Sequence, residues 1–96
     1  MDQNKELEWQ IEFHKALSNP ERLRIIELLW DNEVCQCEMF PRIGLSQSTV
    51  SSYLTQLVKA GILTTRKEGV KRMYELASPK IRTILESIKD AAKNNT

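Results

Sequence analysis

The sequence predicts a mainly α-helical domain with one small β-hairpin set just before a final helix. Three observations lead there. Apolar residues recur at helical spacing in four stretches, Ser46 and Gly61 bracket the clearest of them, and one basic, strand-like segment interrupts the pattern at 62–76. Ninety-six residues make a single domain, 1–96, because a second core would not fit. Charged residues at 28% and apolar residues at 41% exclude a disordered chain. No apolar run nears the roughly 18 residues of a membrane span, so no membrane partner is expected. The polar, acidic residues 1–7 do not read as a signal peptide, and the expected location is cytoplasmic.

The elements follow in order. Leu7, Ile11, Phe13, Ala16 and Leu17 give a first helix at 4–17, with Trp9 beside the stripe. Ser18-Asn19-Pro20 breaks it, and Asn19 caps a second helix at 20–30 with Pro20 at its first position. The core face of that helix reads as Leu23, Ile26, Leu29 and Trp30. A short third helix, 34–40, is expected to end at Pro41 and Gly44. Ser46 starts the fourth, 47–60, whose core positions are Val50, Leu54, Leu57 and Val58 and whose end is Gly61. Strands at 62–67 and 70–76 turn around Glu68-Gly69. Ser78 and Pro79 open the last helix, 79–93.

The first and last helices carry more apolar surface than a small monomer readily covers. Leu7, Trp9, Ile11 and Phe13 on one, with Ile81, Ile84, Leu85 and Ile88 on the other, are the expected homodimer interface. The competing reading is that they cover the domain's own core.

Helix, tight turn, helix and basic hairpin are the order of a winged helix-turn-helix, α-α-α-α-β-β-α. The fourth helix is the expected recognition helix and 62–76 the wing. Charge supports a polyanion-facing half: residues 1–40 hold four basic and nine acidic side chains, residues 41–96 ten basic and four acidic. The fourth helix exposes small uncharged residues where a solvated face would carry Glu and Lys. Gln47 can bond adenine in bidentate fashion, and Ser48, Thr49, Ser51 and Ser52 can reach base edges or phosphates. Arg66, Lys67, Lys71 and Arg72 on the wing would lie along the DNA backbone or in the minor groove, although edge strands also carry such charges merely to resist aggregation.

At this point several segments resemble one family. Residues 16–26 (ALSNPERLRII), 45–51 (LSQSTVS), 57–63 (LVKAGIL) and 70–76 (VKRMYEL) resemble the opening, the recognition helix, its exit and the second wing strand of the ArsR/SmtB metal-sensing repressors. The resemblance covers about residues 13–76. It implies a homodimer built from first and last helices, bound to an operator of two-fold symmetry and released by an effector. Tyr53 stands where many members have His; it too can donate a hydrogen bond to DNA.

Two cysteines, Cys35 and Cys37, are too few for a secreted disulfide scaffold, and such a pair points to metal, metalloid or redox chemistry. Residues 33–39 (EVCQCEM) resemble the Cys-X-Cys segment of the family's arsenic- and cadmium/lead-responsive members, which lies on the third helix. In a regular helix residues two apart point about 200° away from each other. Two thiolates on one soft ion must approach within about 4 Å. Coordination is therefore expected to distort this segment and weaken the DNA grip.

The family's best-known arsenic site has a third cysteine where this chain has Phe40. As(III) or Sb(III), held by two thiolates and an exogenous ligand, is the expected effector. Cadmium or zinc would need more ligands, for which His14, Glu33 and Glu38 are the nearby candidates, and the zinc site of other members' last helix lacks its histidines here. Reversible Cys35–Cys37 oxidation is the alternative switch, and burial of both as small hydrophobes the bland one. No catalytic constellation is present, so an enzyme is not expected. The rivals from other classes are a small dithiol oxidoreductase, for which Cys-X-X-Cys is the usual form, and a constitutive architectural DNA binder.

Overall fold

A computed structural model describes residues 3–96. Met1 and Asp2, where the 1–96 range and the acidic N-terminal stretch begin, lie outside the described residues. The elements are α1 (Gln3–Leu17), α2 (Pro20–Leu28), β1 (Val34–Cys35), α3 (Gln36–Ile43), α4 (Gln47–Lys59), β2 (Leu63–Glu68), β3 (Lys71–Leu76) and α5 (Pro79–Asn94). This is a winged helix-turn-helix with one strand more than the sequence implies.

The caps act as expected. Asn19 Oδ1 accepts from the Glu21 and Arg22 amides at 2.8 and 3.0 Å, Ser46 Oγ from the Thr49 amide at 3.2 Å, and Ser78 Oγ from the Ile81 amide at 3.2 Å. Each satisfies donors that a helix start leaves unpaired. Gly61, at φ 79°, ends α4 with paired bonds from Gly61 N to Val58 O and Ile62 N to Leu57 O, both 3.0 Å. A side chain at Gly61 would meet Trp9, whose Nε1 lies 3.3 Å from where a Cβ would stand.

Val50, Leu54 and Leu57 of α4 pack with Ile25, Leu29, Met39 and Ile62 into one core, closed by Phe13 and Ala16 from α1 and Ile81 and Leu85 from α5. Three of the expected interface residues, Phe13, Ile81 and Leu85, thus belong to the protomer's own core. Leu7, Trp9, Ile11, Ile84 and Ile88 remain exposed. Leu23 corrects the expected core face of α2. It is exposed and faces the groove shared with α1 and α5, while Ile25 is buried in the core in its place. Leu23, Leu17, Trp30, Ile88 and Ala92 line an apolar groove of about 480 Å³ between α1, α2 and α5.

The sheet is antiparallel in the order β1-β3-β2. Leu63 pairs with Leu76 through to Glu68 with Lys71, so the turn is Gly69-Val70, one residue later than expected. Gly69, at φ 63°, takes the left-handed conformation the turn requires. The added strand pairs Val34 with Tyr74 and Cys35 with Met73. The third helix starts two residues late for this reason. It also continues past Pro41 to Ile43: the proline forgoes one backbone bond, but burial of Ile43 and the left-handed Gly44 cap hold the last turn.

Candidate nucleic-acid interface and thiol pair

The start of α4 is polar and open. Gln47, Ser48 and Ser52 are exposed, and Thr49 and Ser51 half-buried. Ser46 Oγ lies within hydrogen-bond distance of both neighbouring hydroxyls, Ser48 at 3.2 Å and Thr49 at 2.8 Å, so part of the expected reading face is already organised around the cap. Tyr53 is half-buried against the core, and its ring lies over the Arg22 guanidinium at 5.1 Å. Arg22 is buried and donates to the last carbonyls of α1, Nε to Ala16 O at 2.8 Å and Nη2 to Lys15 O at 2.9 Å.

On the wing, Lys67 and Lys71 are exposed and Arg72 half-buried. Arg66 is engaged elsewhere. It forms a two-pronged pair with Glu33 and approaches Glu68 at 3.7 Å. The Arg66 hydrogen bonds hold the Glu33 carboxyl below the usual range, against a smaller desolvation effect, and Glu33 raises Arg66 in turn.

The thiol segment departs from expectation. Cys35 does not lie on the third helix; it ends β1 and caps α3, with φ −71° and ψ 139°. Its sulfur accepts from the Cys37 amide at 3.1 Å, and the Cys35 and Cys37 sulfurs are joined as a disulfide. The 200° divergence applies between two helical residues, and an extended cap residue escapes it. The two sulfurs meet with Cys35 outside α3 and Cys37 within it. Cys35 is buried and Cys37 exposed.

Both cysteines open on a cleft of about 530 Å³, shared with Phe40, Gln47, Ser51, Lys71 and Arg72. The cleft thus joins the thiols, the recognition helix and the wing. Phe40, at the position of the family's third cysteine, forms part of its wall. The other ligands weighed from sequence do not gather here. His14 lines the apolar groove on α1 and contacts Gln10 O, Glu33 is held by Arg66, and Glu38 is exposed beside Cys37. Among the described residues no three His, Cys, Asp or Glu side chains form a metal-binding group.

Sequence reasoning passed over Gln36, whose amide lies between α4 and β3. Its partners are 15 and 38 residues away, and no local signal marks them.

A helix-turn-helix, a basic wing and an exposed polar recognition helix define a DNA-binding transcription regulator rather than an enzyme. Residues 19–65 match the family model described as "Bacterial regulatory protein, arsR family". The chain is 44% identical over 62 residues to the arsenical resistance operon repressor of Staphylococcus xylosus, covering 65% of this chain and 60% of that protein. It is 39% identical over 72 residues to the transcriptional activator HlyU of Vibrio cholerae, covering 75% and 67%. Its fold matches the solution structure of the homodimeric winged helix-turn-helix domain of Mb0332 from Mycobacterium bovis, a possible ArsR-family regulator. There the TM-score is 0.89 at 25% identity, over 99% of this chain and 90% of that one. The chain belongs to the ArsR family.

Proposed function

We propose that this protein is a cytoplasmic, homodimeric repressor whose grip on a two-fold symmetric operator is relaxed when As(III) or Sb(III) binds Cys35 and Cys37. The observation that carries this reading is that Cys35 and Cys37 line one cleft with Gln47 and Ser51 of α4 and Lys71 and Arg72 of the wing. In the reduced protein, two thiols condense with arsenous acid: two As–S bonds form, two As–OH bonds break, and two waters leave. The third arsenic valence keeps a hydroxide or takes an external thiol, since Phe40 offers no ligand. The bulk so added sits where the recognition helix and wing meet DNA. An effector lowers DNA affinity only if it binds the free conformation better than the DNA-bound one, and this position supplies that difference.

In the DNA complex, Gln47 reads a base edge while Ser48, Thr49, Ser51 and Ser52 contact bases or phosphates. Lys67, Lys71 and Arg72 neutralise phosphates. Leu7, Trp9, Ile11, Ile84 and Ile88, with the groove around Leu23, are the surface a second copy would cover. The homodimeric relative from Mycobacterium bovis and the arsenical repressor from Staphylococcus xylosus support the assembly and the effector class respectively.

A second reading is favoured by the bonded sulfurs themselves: oxidation of the pair, in place of metalloid binding, would be the signal. One experiment separates them. The reduced protein, on a labelled duplex from upstream of its own gene, is titrated with arsenite, cadmium, zinc and a mild thiol oxidant beside Cys35→Ser, with fluorescence anisotropy as readout. Release by arsenite that Cys35→Ser abolishes supports the metalloid reading. Release by oxidant alone supports the redox one, and binding untouched by all four rejects both.

A further inference from the structure

We infer that the thiol cleft takes a second small molecule: an external, carboxylate-bearing thiol that fills the third arsenic valence and is held by Lys71 and Arg72. The inference rests on the metalloid reading and adds the ligand that completes the site. As(III) forms three bonds, and the chain supplies two sulfurs. Among the described residues no third His, Cys, Asp or Glu side chain joins them, and Phe40 stands in the cleft wall with no donor atom. A hydroxide would fill about one water's share of space, roughly 30 Å³. The cleft holds about 530 Å³, the size of a small-molecule site.

The charge of the cleft selects the kind of molecule. Lys71 and Arg72 line it, and no carboxylate does. Among the described residues neither cation forms an ion pair. Glu68 stands opposite Lys71 in the sheet but approaches Arg66 instead, at 3.7 Å, and Lys67 stands opposite Arg72. Arg72 donates to Thr65 Oγ1 at a long 3.5 Å, and a guanidinium has five N–H donors to offer. Phe40 and Val70 add apolar wall for a short carbon chain.

The reduced chain, arsenous acid and the thiol condense. Three As–S bonds form, three As–OH bonds break, and three waters leave, each carrying away one thiol proton. Arsenic stays trivalent throughout. The carboxylate of the added thiol then engages the cations that otherwise neutralise phosphate. Ligand and DNA compete for the same two charges, which gives the effector its preference for the free protein.

Two thiols of similar size separate charge from bulk: mercaptopropionate, which carries a carboxylate, and mercaptoethanol, which does not. The reduced full chain is loaded with arsenite in the absence of DNA and titrated with each. Native mass spectrometry is expected to show a ternary species of chain, arsenic and thiolate. Mercaptopropionate should bind about fivefold more tightly, as for a carboxylate meeting two partly exposed cations, and the preference should fade at high salt. Lys71→Gln combined with Arg72→Gln should still take up both thiols but lose the preference. On the operator, the ratio of Kd with arsenite to Kd without should be larger in mercaptopropionate than in mercaptoethanol.

Equal affinities for the two thiols, a preference that survives in the double variant, or an arsenic-loaded chain that takes up neither thiol overturns this inference and leaves the metalloid switch standing. If the double variant fails to fold by circular dichroism, the salt dependence in the wild type decides, and a preference unmoved by salt overturns the role of the cations. A wild type that forms no species with arsenic overturns the metalloid reading, and this inference with it.

Discussion

The Arg66 guanidinium meets the Glu33 carboxylate side-on, Nε to Oε2 at 2.8 Å and Nη2 to Oε1 at 2.6 Å. The pair fastens the wing to the residue that leads into β1 and the thiols. The pair engages the charge of Arg66, whose place in a basic hairpin marks it as an expected DNA contact. Glu33→Gln should release it. The salt dependence of duplex binding is then expected to steepen by about one phosphate contact, a slope change near 0.9. An unchanged slope would show that Arg66 stays out of reach of DNA even when freed.

The same pair has a pH signature. A carboxyl held low in the folded state stabilises the fold at pH values above its unfolded value of about 4.3, and that contribution is lost as pH falls through the lowered folded value. The stability difference between wild type and Glu33→Gln should therefore be flat near neutrality and shrink in the acid range below about pH 4. Denaturation curves across pH measure it, and a difference that grows with acidity would refute the pairing as its source.

Gln47 and Arg72 should fail in different ways. Gln47→Ala is expected to weaken operator binding by about 1–3 kcal/mol while sparing random duplex. Arg72→Ala should weaken both and flatten the salt slope by about 0.9. Titrations on the two duplexes at several salt concentrations distinguish them; equal losses for Gln47→Ala on both would remove its base-reading role.

Ile88 lies half-exposed beside the apolar groove. A charge there should oppose burial against a second copy. Ile88→Asp is expected to sediment as a monomer at concentrations where the wild type is a dimer, with loss of full-operator binding. A dimeric Ile88→Asp would place the interface elsewhere.

Arg22 holds the end of α1 through two backbone carbonyls. Arg22→Met keeps much of the stem but neither donor, and should cost about 2–3 kcal/mol in chemical denaturation at fixed protein concentration. A loss below about 0.5 kcal/mol would class it with ordinary surface positions.

The helices were legible because caps and apolar spacing are local. Ser46, Gly61, Asn19 and Ser78 mark boundaries through chemistry that acts within four residues. β1 was not legible: two residues carry no periodicity, and Val34 and Cys35 become a strand only because β3 lies beside them. That one hidden pairing changes the thiol geometry, since a cysteine read as helical is extended. Leu23 misled for a related reason, because spacing marks it apolar without telling which neighbour covers it. The chemical candidates Cys35, Cys37, Gln47 and Arg72 were named from residue type, and the structure gathers them at one cleft. The ties among them, Gln36 to Ser51 and Glu33 to Arg66, join residues remote in sequence.

Trp9 rests on Gly61, at the exit of the recognition helix, where a Cβ would stand 3.3 Å from the indole nitrogen. In a two-fold dimer built on α1 and α5, the helix that greets the partner would also touch the end of the helix that reads DNA. Half-sites one turn apart are separated by about 34 Å along the duplex. The indole and the bare glycine would then serve as a gauge block, setting how far apart two copies hold their reading heads.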